Sequence, residues 1–351
     1  MIRIRARASQ KRIAEEAGVS QSTVSLVLAG RDISSKETQK KVLATAERLK
    51  YRPNLLVQGI QTGKTKMIGV MAPPFDFYWS EILYGIHDVL AAADHVPITL
   101  WTAHTGGGPR GRGIPGTSEL EQIHRLLDRR VDGVILWPPF AQLFSNHIQE
   151  FISRDMPVVT IDHRLPPEFK ADCVGSDEAA GGRMVAEYLY SLGHRRIGHL
   201  AGPAVSTWAV ARRNAFEKSL SKMDDAQCIT LEAPSGDVAL GIHQARRLLS
   251  LSDRPTAIFA ASDLYAKVVY KAAAELKLRI PEDISVVGFA DDDFSREMTP
   301  PLTTVHQPAY EIGQRAAEVV LGRSMGLIRD RQPVVEELEV MMVTRNSCLE
   351  R

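Results

Sequence analysis

The sequence predicts an α/β protein in which an all-α helix-turn-helix head precedes two doubly wound parallel-sheet subdomains. Three observations carry that expectation. From Met67 onward, short apolar runs alternate with amphipathic stretches in two successive β-α rounds. Ahead of them, residues 9–51 place apolar side chains at i, i+3, i+4 spacing, interrupted by Gly18 where a turn needs positive φ. Charge divides at the same place. Residues 1–66 hold 14 Lys and Arg against 5 Asp and Glu, a net of +9, whereas the other 285 hold 29 against 37, a net of −8. A small basic head on a larger acidic body points the head toward a polyanion.

In the head, Ser9 is a candidate N-cap for a helix with Ile13, Ala14 and Ala17 along one stripe. Gly18 makes the turn. Ser20 caps a second helix whose Val24, Val27 and Leu28 face inward, and Gly30 ends it. A third helix runs from Ser35 with Val42, Ala46 and Leu49 on one face. Three helices with a glycine turn between the first two make a helix-turn-helix, whose second helix enters a DNA major groove.

The stretch "QGIQTGKT", 58–65, ends like a phosphate-binding loop. The loop requires G-x-x-x-x-G-K-[ST] after a strand and before a helix. Here Gln58 holds the first glycine's place, and the local order is helix, loop, strand. The stretch is not a nucleotide site.

The body reads as strand "MIGVMAP", helix near "SEILYGIHDVLAAA", strand "VPITLW", helix "SELEQIHRLLDRR", strand "DGVILWP", helix "LFSNHIQEFISR" and strand "MPVVTID". The second round runs through "EAAGGRMVAEYLYSLG", "RIGHLAG", "AVARRNAFEKSL", "CITLEA", "ALGIHQARRLLS", "TAIFAAS" and "YAKVVYKAAAEL" to "ISVVGFA". Two such sheets leave a ligand crevice at the carboxyl ends of their strands. The glycine-rich loop 104–118 lacks the spacing and flanks of a phosphate cradle and reads as an insertion.

Composition narrows the function. No apolar run reaches membrane-span length and the start has no signal-peptide core, so a cytoplasmic protein without membrane contact is expected. Cys173, Cys228 and Cys348 are scattered, as reduced thiols would be. The ten histidines form no HExxH or H-x-H pair, and "DDD" at 291–293 reads as a loop, so neither a metal nor a cofactor is expected. No nucleophile–base motif supports an enzyme, and the basic head opposes a solute-binding protein.

"AEEAGVSQSTVSLVLAG" followed by "VLATAERLKYRPN" closely resembles the head of the LacI–GalR family of bacterial transcription repressors. "GSDEAAGG", "LGHRRIGHLAGP", "SDLYA", "VVGFADDD" and "PPLTTVHQP" match the periplasmic-binding-protein type of body found in that family, so the resemblance covers nearly the whole chain. It implies a head at 1–52 and a hinge at 53–66. One effector subdomain then spans 67–163 plus 292–325, and the other 164–291 plus 326–345. Gln21 and Ser22 would read base edges, Gln21 through a bidentate pair with adenine. Ser20, Thr23, Ser25, Arg52 and Asn54 would touch phosphates. Leu26 stands where the family often has Arg. In the hinge, which orders on specific DNA, Ile60 would be the minor-groove wedge and Val57 replaces the usual Ala. Gly59 weakens the free hinge helix by about 1 kcal/mol relative to Ala, and Lys64 and Lys66 would lie near phosphates.

For the effector, the resemblance implies Tyr78, Trp79, Asp162, Arg212, Ser262, Phe289 and Asp291. Ala290 replaces a carboxylate that usually holds sugar hydroxyls, and Val238 stands where some members carry Trp. The resemblance therefore implies a homodimer on near-palindromic operator DNA, controlled by a sugar or related small molecule. A protein co-regulator is the alternative signal.

Overall fold

The computed structural model describes residues 9–28, 30–31, 34–52, 59, 63–73, 77–101, 119–138, 145–233 and 238–351. They belong to two compact units, Met1–Thr65 and Lys66–Arg351.

The first unit contains α1 (Gln10–Ala17), α2 (Gln21–Leu28) and α3 (Lys36–Arg48). Each start is capped by a serine hydroxyl. Ser9 accepts the Arg12 N–H at 3.3 Å, Ser20 that of Thr23 at 3.1 Å, and Ser35 that of Thr38 at 3.2 Å. Gly18 closes α1 at φ 66°, a conformation open to glycine at no steric cost. Ile13, Ala14 and Ala17 pack with Val24, Val27, Val42 and Ala46 in one small core. Across it, Glu16 on α1 accepts from Arg12 at 3.0 Å and from Arg48 on α3 at 2.5 Å. Those guanidinium groups, Arg48 first, hold its carboxyl below the usual range.

The second unit carries two parallel sheets. The first contains β1 (Met67–Ala72), β2 (Val96–Trp101), β3 (Gly133–Leu136), β4 (Val158–Ile161), β5 (Asp172–Ser176) and β11 (Val335–Leu338), in the order β11-β5-β4-β3-β1-β2. The second contains β6 (Arg196–Ala201), β7 (Gln227–Glu232), β8 (Ala257–Ala260) and β9 (Ser285–Val287), in the order β7-β6-β8-β9. Both orders reverse beside their first strand, which is the switch point that opens a crevice at the carboxyl ends. An antiparallel pair, β10 (Thr304–His306) with β12 (Met341–Val343), completes the strands.

The helices alternate with these strands: α4 (Phe77–Ala92), α5 (Glu119–Asp128), α6 (Ser145–Ile152), α7 (Glu178–Ser191), α8 (Thr207–Leu220), α9 (Val238–Leu249), α10 (Asp263–Glu275), α11 (Phe294–Glu297) and α12 (Ala309–Ser324). Two helix pairs meet backbone to backbone. A Cβ on Gly85 of α4 would lie 2.0 Å from the Tyr310 carbonyl oxygen, and one on Gly313 of α12 would lie 2.0 Å from that of Ile82. Gly182 of α7 approaches the Arg212 carbonyl of α8 in the same way, at 2.3 Å. No described helix is long and apolar enough to cross a membrane.

Among the described residues, four strands and two α-helices lie outside the expected alternation: β5, β10, β11, β12, α11 and α12. The strands are short, and β11 ("VEEL") has no apolar run to mark it. They move the subdomain boundaries. β5 keeps residues 172–176 in the first sheet, so the chain leaves that sheet after Ser176 and not at His163–Arg164. Residues 303 and 306 bridge to 287 and 290 of the second sheet, so the return comes just before α12 and not at Asp291–Asp292. β11 pairs with β5, which places the last crossing between Leu338 and Met341 and not at 325–326.

Three histidines, His163, His194 and His199, are fully buried, and burial pushes each imidazole down to about 4. In the unfolded chain they titrate near 6.5, so the unfolded state binds more protons between those values. Stability is complete above about pH 6.5 and falls as the pH drops toward 4, by on the order of 3 kcal/mol per histidine. Urea unfolding of the body should therefore show a lower midpoint at pH 5 than at pH 7.5. Equal midpoints would mean that these rings are not held neutral.

Candidate DNA-reading face and effector crevice

The start of α2 presents the head's polar side chains. Gln21 and Ser22 are exposed, and Thr23 and Ser25 are half-buried beside the core residues Val24 and Val27. Ser20 accepts the Thr23 N–H, and its oxygen lies 2.7 Å from the Ser22 hydroxyl and 2.8 Å from that of Thr23. Its first task is thus to cap the helix, leaving Gln21 and Ser22 free to face outward. Leu26 is half-buried and Arg52 is exposed. Asn54, Val57 and Ile60 lie outside the described residues.

Within the body, the carboxyl ends of the strands converge on a cavity of ≈ 180 Å³. Pro73 follows β1, Trp137 follows β3 and Asp162 follows β4; from the second sheet, Ser262 follows β8 and Ala290 follows β9. Helix starts supply Tyr78 and Trp79 on α4, Glu178 on α7, Trp208 on α8, and Leu264 and Tyr265 on α10. Arg212, Asp292 and Gln307 complete the lining.

Hydrogen bonds fix most of this wall. The Tyr78 hydroxyl donates to Asp162 Oδ2 at 2.8 Å. Arg212 Nε and Nη2 both donate to Glu178 Oε2, at 2.7 and 2.5 Å, and its Nη1 donates to the Ala261 carbonyl. Gln307 Nε2 donates to Ser176 Oγ at 2.9 Å and to Glu178 Oε1 at 3.3 Å. Burial pushes the Glu178 carboxyl up to about 7, against the pull of Arg212. The Ser262 hydroxyl accepts the Tyr265 N–H and caps α10.

Five of the seven expected effector residues therefore meet at one cavity: Tyr78, Trp79, Asp162, Arg212 and Ser262. Phe289 and Asp291 do not line it. The Phe289 ring is fully buried, 3.3 Å beneath the Arg212 guanidinium, so it supports the arginine from below. Asp291 accepts from Arg345 Nη2 at 2.5 Å and lies 3.2 Å from His306 Nδ1, within a buried structural network. The backbone explains the redirection. Ala290 at φ 135° and Asp291 at φ 63° turn the chain after β9, so that Asp292 reaches the cavity. Val238 is exposed and does not line it.

Sequence reasoning missed Trp137, Glu178, Trp208, Tyr265, Gln307 and Asp292. Trp137 was open to discovery as the residue that follows a strand at its carboxyl end. Gln307 comes from a return segment that no local pattern marks. Among the described residues no group of three or more His, Cys, Asp or Glu is placed to hold a metal.

Known proteins are similar to both parts of the chain. Residues 11–54 match "Bacterial regulatory proteins, lacI family", and residues 186–348 match "Periplasmic binding protein-like domain". The chain is 31% identical over 319 residues to the Ribose operon repressor of Haemophilus influenzae, covering 90% of this chain and 92% of that protein. It is 28% identical over 345 residues to the HTH-type transcriptional repressor PurR of Vibrio atlanticus, covering 97% and 98%. Among solved structures, the lac repressor dimer bound to operator and the anti-inducer ONPF has a TM-score of 0.82 at 27% identity, over 98% of this chain and 100% of that one. A LacI family regulator from Enterococcus faecium with bound ribose has a TM-score of 0.68 at 25% identity, over 81% and 99%. A capped helix-turn-helix, a crevice between two parallel sheets and an extended match to these repressors lead to one assignment: the chain belongs to the lacI family of bacterial regulatory proteins.

Proposed function

We propose that this regulator is a repressor that binds a near-palindromic operator as a homodimer and senses a small metabolite, a sugar or a related compound, in the crevice between its sheets. The observation that carries the reading is one chain holding both an outward-facing Gln21–Ser22 edge at the start of α2 and an aromatic- and carboxylate-lined cavity. Gln21 and Ser22 read bases. Thr23, Ser25, Arg52 and Asn54 hold phosphates, with Ser20 acting mainly through its cap. Ile60 is the hinge wedge. The effector contacts Tyr78, Trp79, Asp162, Arg212 and Ser262, joined by Trp137, Trp208 and Asp292. A cavity of ≈ 180 Å³ favours a small molecule over a protein co-regulator. Effector and operator affinities are then linked reciprocally through the body.

Selection of bound sequences from a random duplex pool tests the first half. Enrichment of a near-palindrome is expected, with affinity falling steeply with salt, at a log–log slope of about −0.9 per phosphate neutralised. Recovery of no common sequence would defeat the reading. On the selected operator, Gln21→Ala should cost roughly 1–3 kcal/mol and relax preference at one or two base pairs in each half-site. A uniform loss on all sequences would make Gln21 a phosphate contact.

A further inference from the structure

One buried imidazole sits across the boundary between the two subdomains. His163 follows Asp162 at the carboxyl end of β4, and its ring is fully buried. On one side it meets Trp137, which lines the cavity, edge to face with ring centroids 5.3 Å apart. On the other it meets Thr207, the first residue of α8, a helix that packs on β7 of the second sheet. The Thr207 hydroxyl donates to the Asp162 carbonyl at 3.3 Å, so it accepts from His163 Nδ1 at 3.2 Å. These two bonds join the end of β4 to the start of α8 beside the cavity that Trp137, Asp162 and Trp208 line.

That arrangement fits only a neutral ring. A neutral imidazole has one N–H and an imidazolium has two. Thr207 receives the proton on Nδ1, and among the described residues Nε2 has no hydrogen-bond partner. Protonation would bury a second donor and a positive charge with nothing to receive either. Charged groups on the surrounding elements engage other partners. At the end of β4, Asp162 Oδ2 accepts from Tyr78 of α4, and Arg164 is exposed. On α8, Arg212 donates to Glu178 of α7. The carboxyl end of β3 brings Trp137 and no charge. Burial alone therefore holds the imidazole down at about 4. In water the same ring titrates near 6.5, so separating the subdomains lets it take up a proton between those values.

Resting on the reading of this crevice as the effector site, we propose that His163 is a proton-sensitive latch on it: the neutral ring lets the two subdomains close, and the protonated ring holds them apart. Closing around an effector then expels a proton wherever the open ring carries one. The closed form is fully favoured above about pH 6.5 and loses ground as the pH falls toward 4. At pH 5.5 the shift toward the open form is about tenfold relative to pH 7.5. Effector affinity falls by the same factor, because only the closed form grips the ligand from both sides.

Trp137 reports the state of the ring, because an imidazolium in contact quenches indole emission, and opening wets the indole and shifts its emission to the red. Tryptophan emission of the full chain, titrated from pH 8 to pH 4, is expected to fall and redden with a midpoint between about 4 and 6.5, while far-UV circular dichroism stays unchanged. His163→Gln, which keeps a donor toward Thr207 and does not titrate, should abolish the transition. Thr207→Val removes the acceptor from the closed form at nearly the same shape, so the midpoint should rise. A transition that persists in His163→Gln would overturn the latch. So would one that coincides with loss of the dichroism, since the ring would then titrate only on unfolding, or emission that stays constant down to pH 4. The effector reading has its own arm. D-ribose and ONPF are titrated calorimetrically at pH 7.5 into the wild type and Trp208→Ala. Binding that Trp208→Ala abolishes keeps the effector in the crevice, and it should weaken about tenfold at pH 5.5 in the wild type but not in His163→Gln. Binding that Trp208→Ala leaves unchanged removes the effector from the crevice without touching the latch, whereas a failed emission transition removes the latch alone.

Discussion

Arg212→Leu is expected to destabilise the body by about 3–5 kcal/mol at pH 8, because it strands Glu178 as a buried charge without its partner. The wild-type carboxyl already sits at about 7, raised by burial and pulled down by the guanidinium. Removing the guanidinium lets burial act unopposed and raises it further. The unfolded carboxyl titrates near 4.3, so the folded variant binds more protons than the unfolded chain above that value. The contribution of this carboxyl therefore falls as the pH rises, against the histidines' opposite trend that both proteins share. The deficit relative to wild type widens above about pH 7, where the wild-type carboxyl ionises beside its guanidinium. Urea unfolding at pH 5 and pH 8 measures the deficit directly. In Arg212→Leu combined with Glu178→Gln the widening should vanish, because no carboxyl is left to strand. A deficit of equal size at both pH values in the single variant would show that lost packing on Phe289 and Trp208, and not the orphaned charge, governs the site.

The second large effect comes from a single methyl group. Gly85→Ala or Gly313→Ala places a Cβ 2.0 Å from a carbonyl oxygen of the facing helix, a backbone atom that cannot swing aside. Ordinary overpacking costs about 1–3 kcal/mol, and here α4 and α12 must separate, so a loss at or above the top of that range is expected. Gly241→Ala is the control. Its Cβ would meet only Val268 methyl groups at 3.4 and 3.7 Å, and it lies inside α9, where alanine gains up to about 1 kcal/mol in helix propensity. Thermal unfolding should thus move in opposite directions for the same chemical change. A fall for Gly241→Ala as large as for Gly85→Ala would refute the close crossing.

Legibility differs sharply between parts of this chain. The head reads clearly because its signals are local: Ser9, Ser20 and Ser35 cap, Gly18 turns, and Ile13, Val24 and Val42 fall on helical periods. The β-α alternation reads equally well, since each buried strand is a continuous apolar run. The elements that complete the first sheet do not. β11 carries two glutamates in four residues, and its partner β5 is a five-residue strand beside it, so neither has a periodicity to announce it. In the crevice, Tyr78, Trp79, Asp162, Arg212 and Ser262 follow from aligned motifs. Phe289 and Asp291 mislead because orientation after β9 is decided by two positive-φ residues, and backbone angles of that kind leave little trace in residue identity. Asp292, one position on, faces the cavity in their place.

The long return of α12 bears on how the chain is made. This helix packs across α4 and against β3, β4 and β5, and β11 then adds the outer strand of the same sheet. A ribosome releases residues at about 5–20 per second, and about 230 of them separate the end of α4 from the end of α12, an interval of roughly 10–50 s. Throughout that interval the apolar face of α4 that α12 will cover, Ile82 and Gly85 included, has no final partner. The second sheet draws its four strands from one continuous stretch, Arg196 to Val287, and the head closes on residues 9–51 alone. Vectorial synthesis therefore closes the first-born sheet only after all four strands of the second have emerged. Residues 340–348 then return to the second core, so both subdomains wait for the end of the chain and the earlier one waits longest.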